Sequence, residues 1–178
     1  MNTPLPTPEE ALWACRMAQG QIRFARQYVL DLLEQTPRER WFETPPGAPS
    51  NLAWQVGHLA VSQYGLLMFR QRGRRPEDLD LIPGRFRKAF ARGSDPKAVS
   101  PELYSADQLY QRLAEVHSQA LGCLAAISDG ADLLEPIDMP YAVYPVKLGA
   151  ILFCPLHEQI HAGQIGLLRR LLGLSPVR

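Results

Sequence analysis

Apolar residues recur every three or four positions along separate stretches of the chain, and that period belongs to helices packed on one face. Cys15, Ala18, Ile22, Ala25, Val29 and Leu32 mark the first stretch, and Leu109, Leu113, Val116, Ala120, Leu124 and Ile127 a later one. Leu152, Leu156, Ile160, Gly163, Leu167 and Leu171 mark the last, and this stripe is expected to be buried in a core. Between the first two lies an apolar-rich segment from Leu52 to about Arg72. Amphipathic helices of this length are stable only against partners. With hardly any strand pattern, the chain reads as all-α, one four-helix-bundle domain over residues 1–178.

Start and stop signals bound these helices. Thr7 precedes Pro8 and two acids, a helix start with Thr7 as cap, and the pattern ends near Gln35, before Thr36-Pro37. Ser50 is placed to cap the second helix and Gly73 to stop it, while Ser105 or Asp107 is placed to cap the third. Pro155 falls inside the last apolar run, where a kink or a fresh helix start is expected. From Arg74 to Ser105 the chain is proline-rich, with one brief helical patch at Arg85–Phe90. A crossover this long inside a small domain is often functional.

The totals exclude several functions. With 19 basic and 18 acidic residues the formal charge is +1, which argues against a nucleic-acid partner. No stretch has the apolar length of a membrane span. Three cysteines, Cys15, Cys123 and Cys154, include no Cys-x-x-Cys pair, so each is expected to act as a small core residue. The first ten residues lack the basic head and apolar run of a secretion signal. A reducing, cytoplasmic location is expected.

Two of the four histidines, His157 and His161, stand four apart on the last helix and can offer their imidazoles to one metal ion. With Glu158 between them they spell His-Glu-x-x-His, the zinc protease signature with Glu158 as general base. That reading fails on its third ligand, because no His, Asp, Glu or Cys follows His161. A third ligand must come from upstream, where His58 and His117 remain. His58 is the better placed, on a stripe with Asn51, Trp54, Gln55 and Ser62, and His117 lies beside the apolar stripe of its helix.

Three segments together resemble the DinB-like superfamily: Pro49-Ser50-Asn51-Leu52-Ala53-Trp54-Gln55-Val56-Gly57-His58-Leu59, Phe90-Ala91-Arg92-Gly93-Ser94-Asp95-Pro96, and His157-Glu158-Gln159-Ile160-His161-Ala162-Gly163-Gln164-Ile165. The resemblance implies a four-helix bundle in an up-up-down-down arrangement, with a long crossover between helices 2 and 3. It implies a divalent metal, nickel or zinc, held by His58, His157 and His161, and leaves His117 outside the ligand set. Family members often carry Arg where this chain has Ala162.

Three neutral imidazoles without a fourth protein ligand leave coordination positions open, as in catalytic sites. A metal so held can activate bound water or a thiolate, and the resemblance implies metal-assisted hydrolysis of a small molecule or transfer of a low-molecular-weight thiol. Glu158 is expected as base or as a group that orients a ligand. Gln164, Asn51, Gln55, Tyr141 and Tyr144 are candidate pocket groups, each of which could equally cap a helix or plug the bundle's end. The alternative is a non-enzymatic bundle that binds metal or a protein partner. A homodimer is expected from the resemblance and the apolar length of the helices.

Overall fold

A computed structural model describes residues 4–139 and 142–177, and in it four long helices lie side by side. Helix α1 spans Pro8–Glu34, α2 Leu52–Tyr64, α3 Ala106–Ala125 and α4 Lys147–Leu171. Thr7 caps α1 in a reciprocal box with Glu10, and Ser105 caps α3 in the same way with Gln108. Asn51, rather than Ser50, caps α2 by accepting from the Trp54 amide. Ser50 bonds its neighbours instead, including the Gln55 side chain.

Helix α2 runs on through a π turn at Gly65–Phe69 and a last turn at Arg70–Arg72. It stops at Gly73, whose φ of 75° suits glycine. Pro155 breaks nothing: α4 is one helix on both sides of it, because Ile151, Cys154 and Glu158 are all buried around the proline. Here packing overrides local propensity.

The paired residues give each helix its direction. Arg26 meets Glu158 and Arg169 bonds the end of α1 at Leu32 and Gln35, so α1 and α4 run the same way. Gln55 meets His161, and Gln71 meets the Lys147 carbonyl sixteen residues further along α2's course, so α2 and α4 run oppositely. Arg26 reaches the Leu113 carbonyl and Tyr110 reaches Glu34, so α3 opposes α1. The order is up-down-down-up, which corrects the expected up-up-down-down. The physical reason lies in the connections. Two parallel neighbours need a link as long as the bundle, and the long link joins α2 to α3.

That link, residues 73–105, carries short helices at Asp78–Leu81 and Gly84–Phe90 and a turn at Pro96–Ala98. Asp78 anchors its start, accepting from Arg72, the Arg75 amide and the Tyr64 hydroxyl while fully buried. Phe86 and Phe90 pack into the core beside Tyr104.

The stripe of α4 expected in the core is instead its outer face. Leu156 is 62% exposed and Ile160 55%, with Leu167 and Leu171 similar. The buried face is Ile151, Cys154, Glu158, Ala162, Ile165 and Leu168. Counting apolar residues selects the wrong face because the true core face carries Glu158 and His161, both polar and both partnered. Cys15 and Cys154 are core residues as expected, while Cys123 is half-buried. Among the described residues no helix is long and apolar enough to cross a membrane.

One buried cation ties the four helices together. Arg26, on α1, donates through Nε and Nη2 to the two oxygens of Glu158 on α4, at 2.6 and 3.1 Å. It also donates to Gln63 Oε1 on α2 at 3.0 Å and to the Leu113 carbonyl on α3 at 2.9 Å. Gln63 then donates to His117 Nδ1 at 3.1 Å. A buried guanidinium is tolerable only when its donors are satisfied and its charge is matched, and both conditions hold here.

Candidate metal centre

His58 comes from the middle of α2, and His157 and His161 face it from α4 one turn apart. Antiparallel packing of these helices brings the three rings together, with centroids 4.5 to 5.4 Å apart. One ligand nitrogen from each lies within 4.8 Å of the others. Metal–imidazole bonds of about 2.1 Å need only a small closing rotation from there.

Two of the rings have their tautomer set by a neighbour. His58 Nδ1 lies 2.8 Å from the Phe90 carbonyl, which can only accept, so Nδ1 carries the proton and Nε2 the lone pair. The Ser62 hydroxyl points at that same Nε2 from 3.2 Å. His161 Nδ1 lies 2.5 Å from Gln55 Oε1. The Gln55 amide nitrogen is committed to Ser50, which fixes the oxygen on the His161 side and leaves the lone pair of His161 on Nε2. Such outer hydrogen bonds orient an imidazole and raise its ligand strength.

Trp54 stacks flat on His58, with centroids 4.7 Å apart and planes 8° from parallel. Its indole N–H donates to Ser94, whose hydroxyl donates to the Ala89 carbonyl. Asn51 donates to the Pro96 carbonyl and Asp95 caps the turn after it. The segment from Phe90 to Pro96 is therefore bolted to the start of α2, and its Phe90 carbonyl is aimed at His58. Gly57 permits this contact: a Cβ there would stand 2.3 Å from the Phe90 ring.

The charge state also suits a metal. Burial pushes His157 down to about 4, with His58 adding, and His161 down to about 3, with His157 and His58 adding. Burial lowers His58 as well, opposed by its bond to Phe90. All three rings are neutral near pH 7, the form that binds a cation.

The other expected residues divide. Gln55 and Gln164 touch His161, Gln164 from the exposed side of α4. Asn51 caps α2 and holds the crossover. Glu158 is next to His157 in sequence, but both its oxygens are engaged by Arg26. Its place is in the core ion pair, which is not where a base for this site would stand. Tyr144 sits at the start of α4, its carbonyl against Gly149, with α4 rising about 1.5 Å per residue between it and His157. Tyr141 lies outside the described residues. Sequence reasoning placed Trp54 on the His58 stripe without giving it a role, and missed Arg26 and the Phe90 carbonyl; of these two, only an arginine in the middle of an apolar stripe was a visible signal.

A cavity of about 420 Å³ opens beside His58 and His157, floored by the π turn of α2. A model of the DinB superfamily matches residues 21–165, most of the chain and all three histidines. No curated protein matches it.

Proposed function

The chain belongs to the DinB superfamily, and we propose that it is a metal-dependent enzyme in which His58, His157 and His161 hold one divalent ion, nickel or zinc. The observation that carries this reading is the convergence of three neutral imidazoles, two with fixed tautomers, of which His58 and His157 line a cavity. When bound, an ion with three protein ligands supplies a Lewis acid with open positions, suited to hydrolysis or to activating a thiol. The chain's own contribution is to orient His58 through Phe90 and His161 through Gln55. Its substrate is a small molecule, since the adjoining cavity is of small-molecule size.

The test is a screen of the zinc- and nickel-loaded full chain against ester, amide and thiol-transfer substrates, beside His161→Ala. Turnover that requires both metal and His161 supports the reading. Metal binding without turnover on any substrate favours a non-enzymatic metal-binding bundle. A chelator separates the two roles further: a metal needed only for folding takes the helix signal with it when removed, whereas a catalytic ion leaves a preformed bundle standing.

A homodimer is proposed through the outer face of α1 and α4. Trp13 and Phe24 are each 63% exposed there and Leu156 62%, around an apolar groove that also includes Met17 and Leu152. A contiguous apolar face of this kind is unusual on a monomer. Sedimentation of the wild type beside Leu156→Glu/Ile160→Glu tests it: a dimer that the double variant converts to monomer is the expected result.

A further inference from the structure

We propose that the cavity beside the histidines selects a small substrate carrying two negative charges, through a ring of four arginines; this rests on the metal-dependent reading above. Arg70 reaches it from the end of α2 and Arg74 from the start of the crossover, with Arg87 and Arg92 further along it on either side of Phe90. Among the described residues no Asp or Glu lines the cavity and none of the four arginines makes an ion pair. Arg70 and Arg74 bond only the carbonyls of Gly65 and Ile82, which leaves their charge unmatched.

The concentration is local. The whole chain carries a formal charge of +1. A second cavity, of about 620 Å³, also has arginines, Arg72 and Arg75, but Glu77, Asp129 and Asp132 stand among them. Cations left unpaired in a concave site raise the local concentration of anions and offer forked donors to carboxylate or phosphate oxygens. The crossover does two things at once: its Phe90 carbonyl sets His58, and its Arg87 and Arg92 line the approach to that ligand. A substrate held by its charged groups on the arginines would present its remaining part to His58 and His157.

Calorimetric titration of the zinc-loaded full chain with glutarate, glycerol 3-phosphate and the neutral glutaramide tests this, beside Arg87→Gln/Arg92→Gln. Both substituted residues are exposed, and unchanged circular dichroism checks the fold. At least one of the two anions is expected to bind, the pair of them distinguishing carboxylate from phosphate. Glutaramide is expected not to bind, and the double variant to bind the anion about tenfold or more weakly with its zinc content unchanged. Equal binding of glutaramide, no binding of either anion, or full anion affinity in the double variant would overturn the proposal. Zinc content is read on the same samples. A wild type that holds no zinc yet discriminates anions overturns the metal reading alone, and one that holds zinc without discriminating overturns only the anion site.

Discussion

The Nδ1–H of His58 donates to the backbone carbonyl of Phe90, 2.8 Å away and 32 residues later in the chain. A histidine on a bundle helix is thereby oriented by the crossover that packs against it. Phe90 can come so close only because residue 57 has no side chain.

Gly57→Ala should therefore act on the site from a distance. The added methyl meets the buried Phe90 ring, which has nowhere to go, and overpacking of this kind costs about 1–3 kcal/mol. Displacing Phe90 also frees His58 to rotate. Urea denaturation should report lowered stability and a zinc titration weaker binding. Gly20→Ala is the control, since nothing lies within 4 Å of its new methyl, and it should stabilise α1 by roughly 0.5–1 kcal/mol.

Gln55→Ala removes the acceptor that holds His161 by Nδ1. Loss of such a partner lowers metal affinity by about 10–100-fold while the ligands themselves remain. Competition with a chromophoric chelator would read the change directly. Unaltered affinity would mean that Gln55 does not orient the ring.

Arg26→Met leaves Glu158 charged and unpaired in the core, which should cost about 3–5 kcal/mol. The double variant Arg26→Met/Glu158→Met should recover a substantial part of that loss, because it removes the stranded charge. Were Glu158 a catalytic base with no part in the core, the single variant would be nearly neutral and the double no better. Denaturation midpoints of the three proteins decide.

Acid should destabilise the metal-free protein in two stages. Burial pushes His117, with Arg26 and Arg23 adding, and His157, with His58 adding, down to about 4, and His161 down to about 3, against about 6.5 in an unfolded chain. Above about pH 6.5 these rings are neutral in both states; as pH falls below that the unfolded chain takes protons that the folded one refuses, so stability drops. Asp78 acts lower down. Its hydrogen bond from Arg72 holds it at about 2, so its contribution is present above about pH 3.9 and is lost as pH falls through 2. His117→Gln should flatten part of the slope between pH 6.5 and 4 and leave the lower stage in place.

Much of this was legible in the sequence, and the exceptions have physical causes. Caps at Thr7 and Ser105 and the stop at Gly73 were readable because each is a local hydrogen-bonding or φ requirement. The pairing of His157 with His161 was readable because helical spacing dictates it. The inward face of α4 was not, because Glu158 looks like a solvent residue until Arg26 is placed 132 positions away. Helix direction also escaped periodicity, since an amphipathic pattern reads the same whichever way its helix runs. The carbonyl of Phe90 could not be found at all from side-chain chemistry, being backbone.

Elemental analysis of the untagged protein beside His58→Ala tests the central claim most directly. The account predicts about one equivalent of a divalent metal in the wild type, and little in a variant that keeps its helix content. No metal in the wild type after reconstitution with zinc or nickel, or wild-type metal content in His58→Ala, would contradict it.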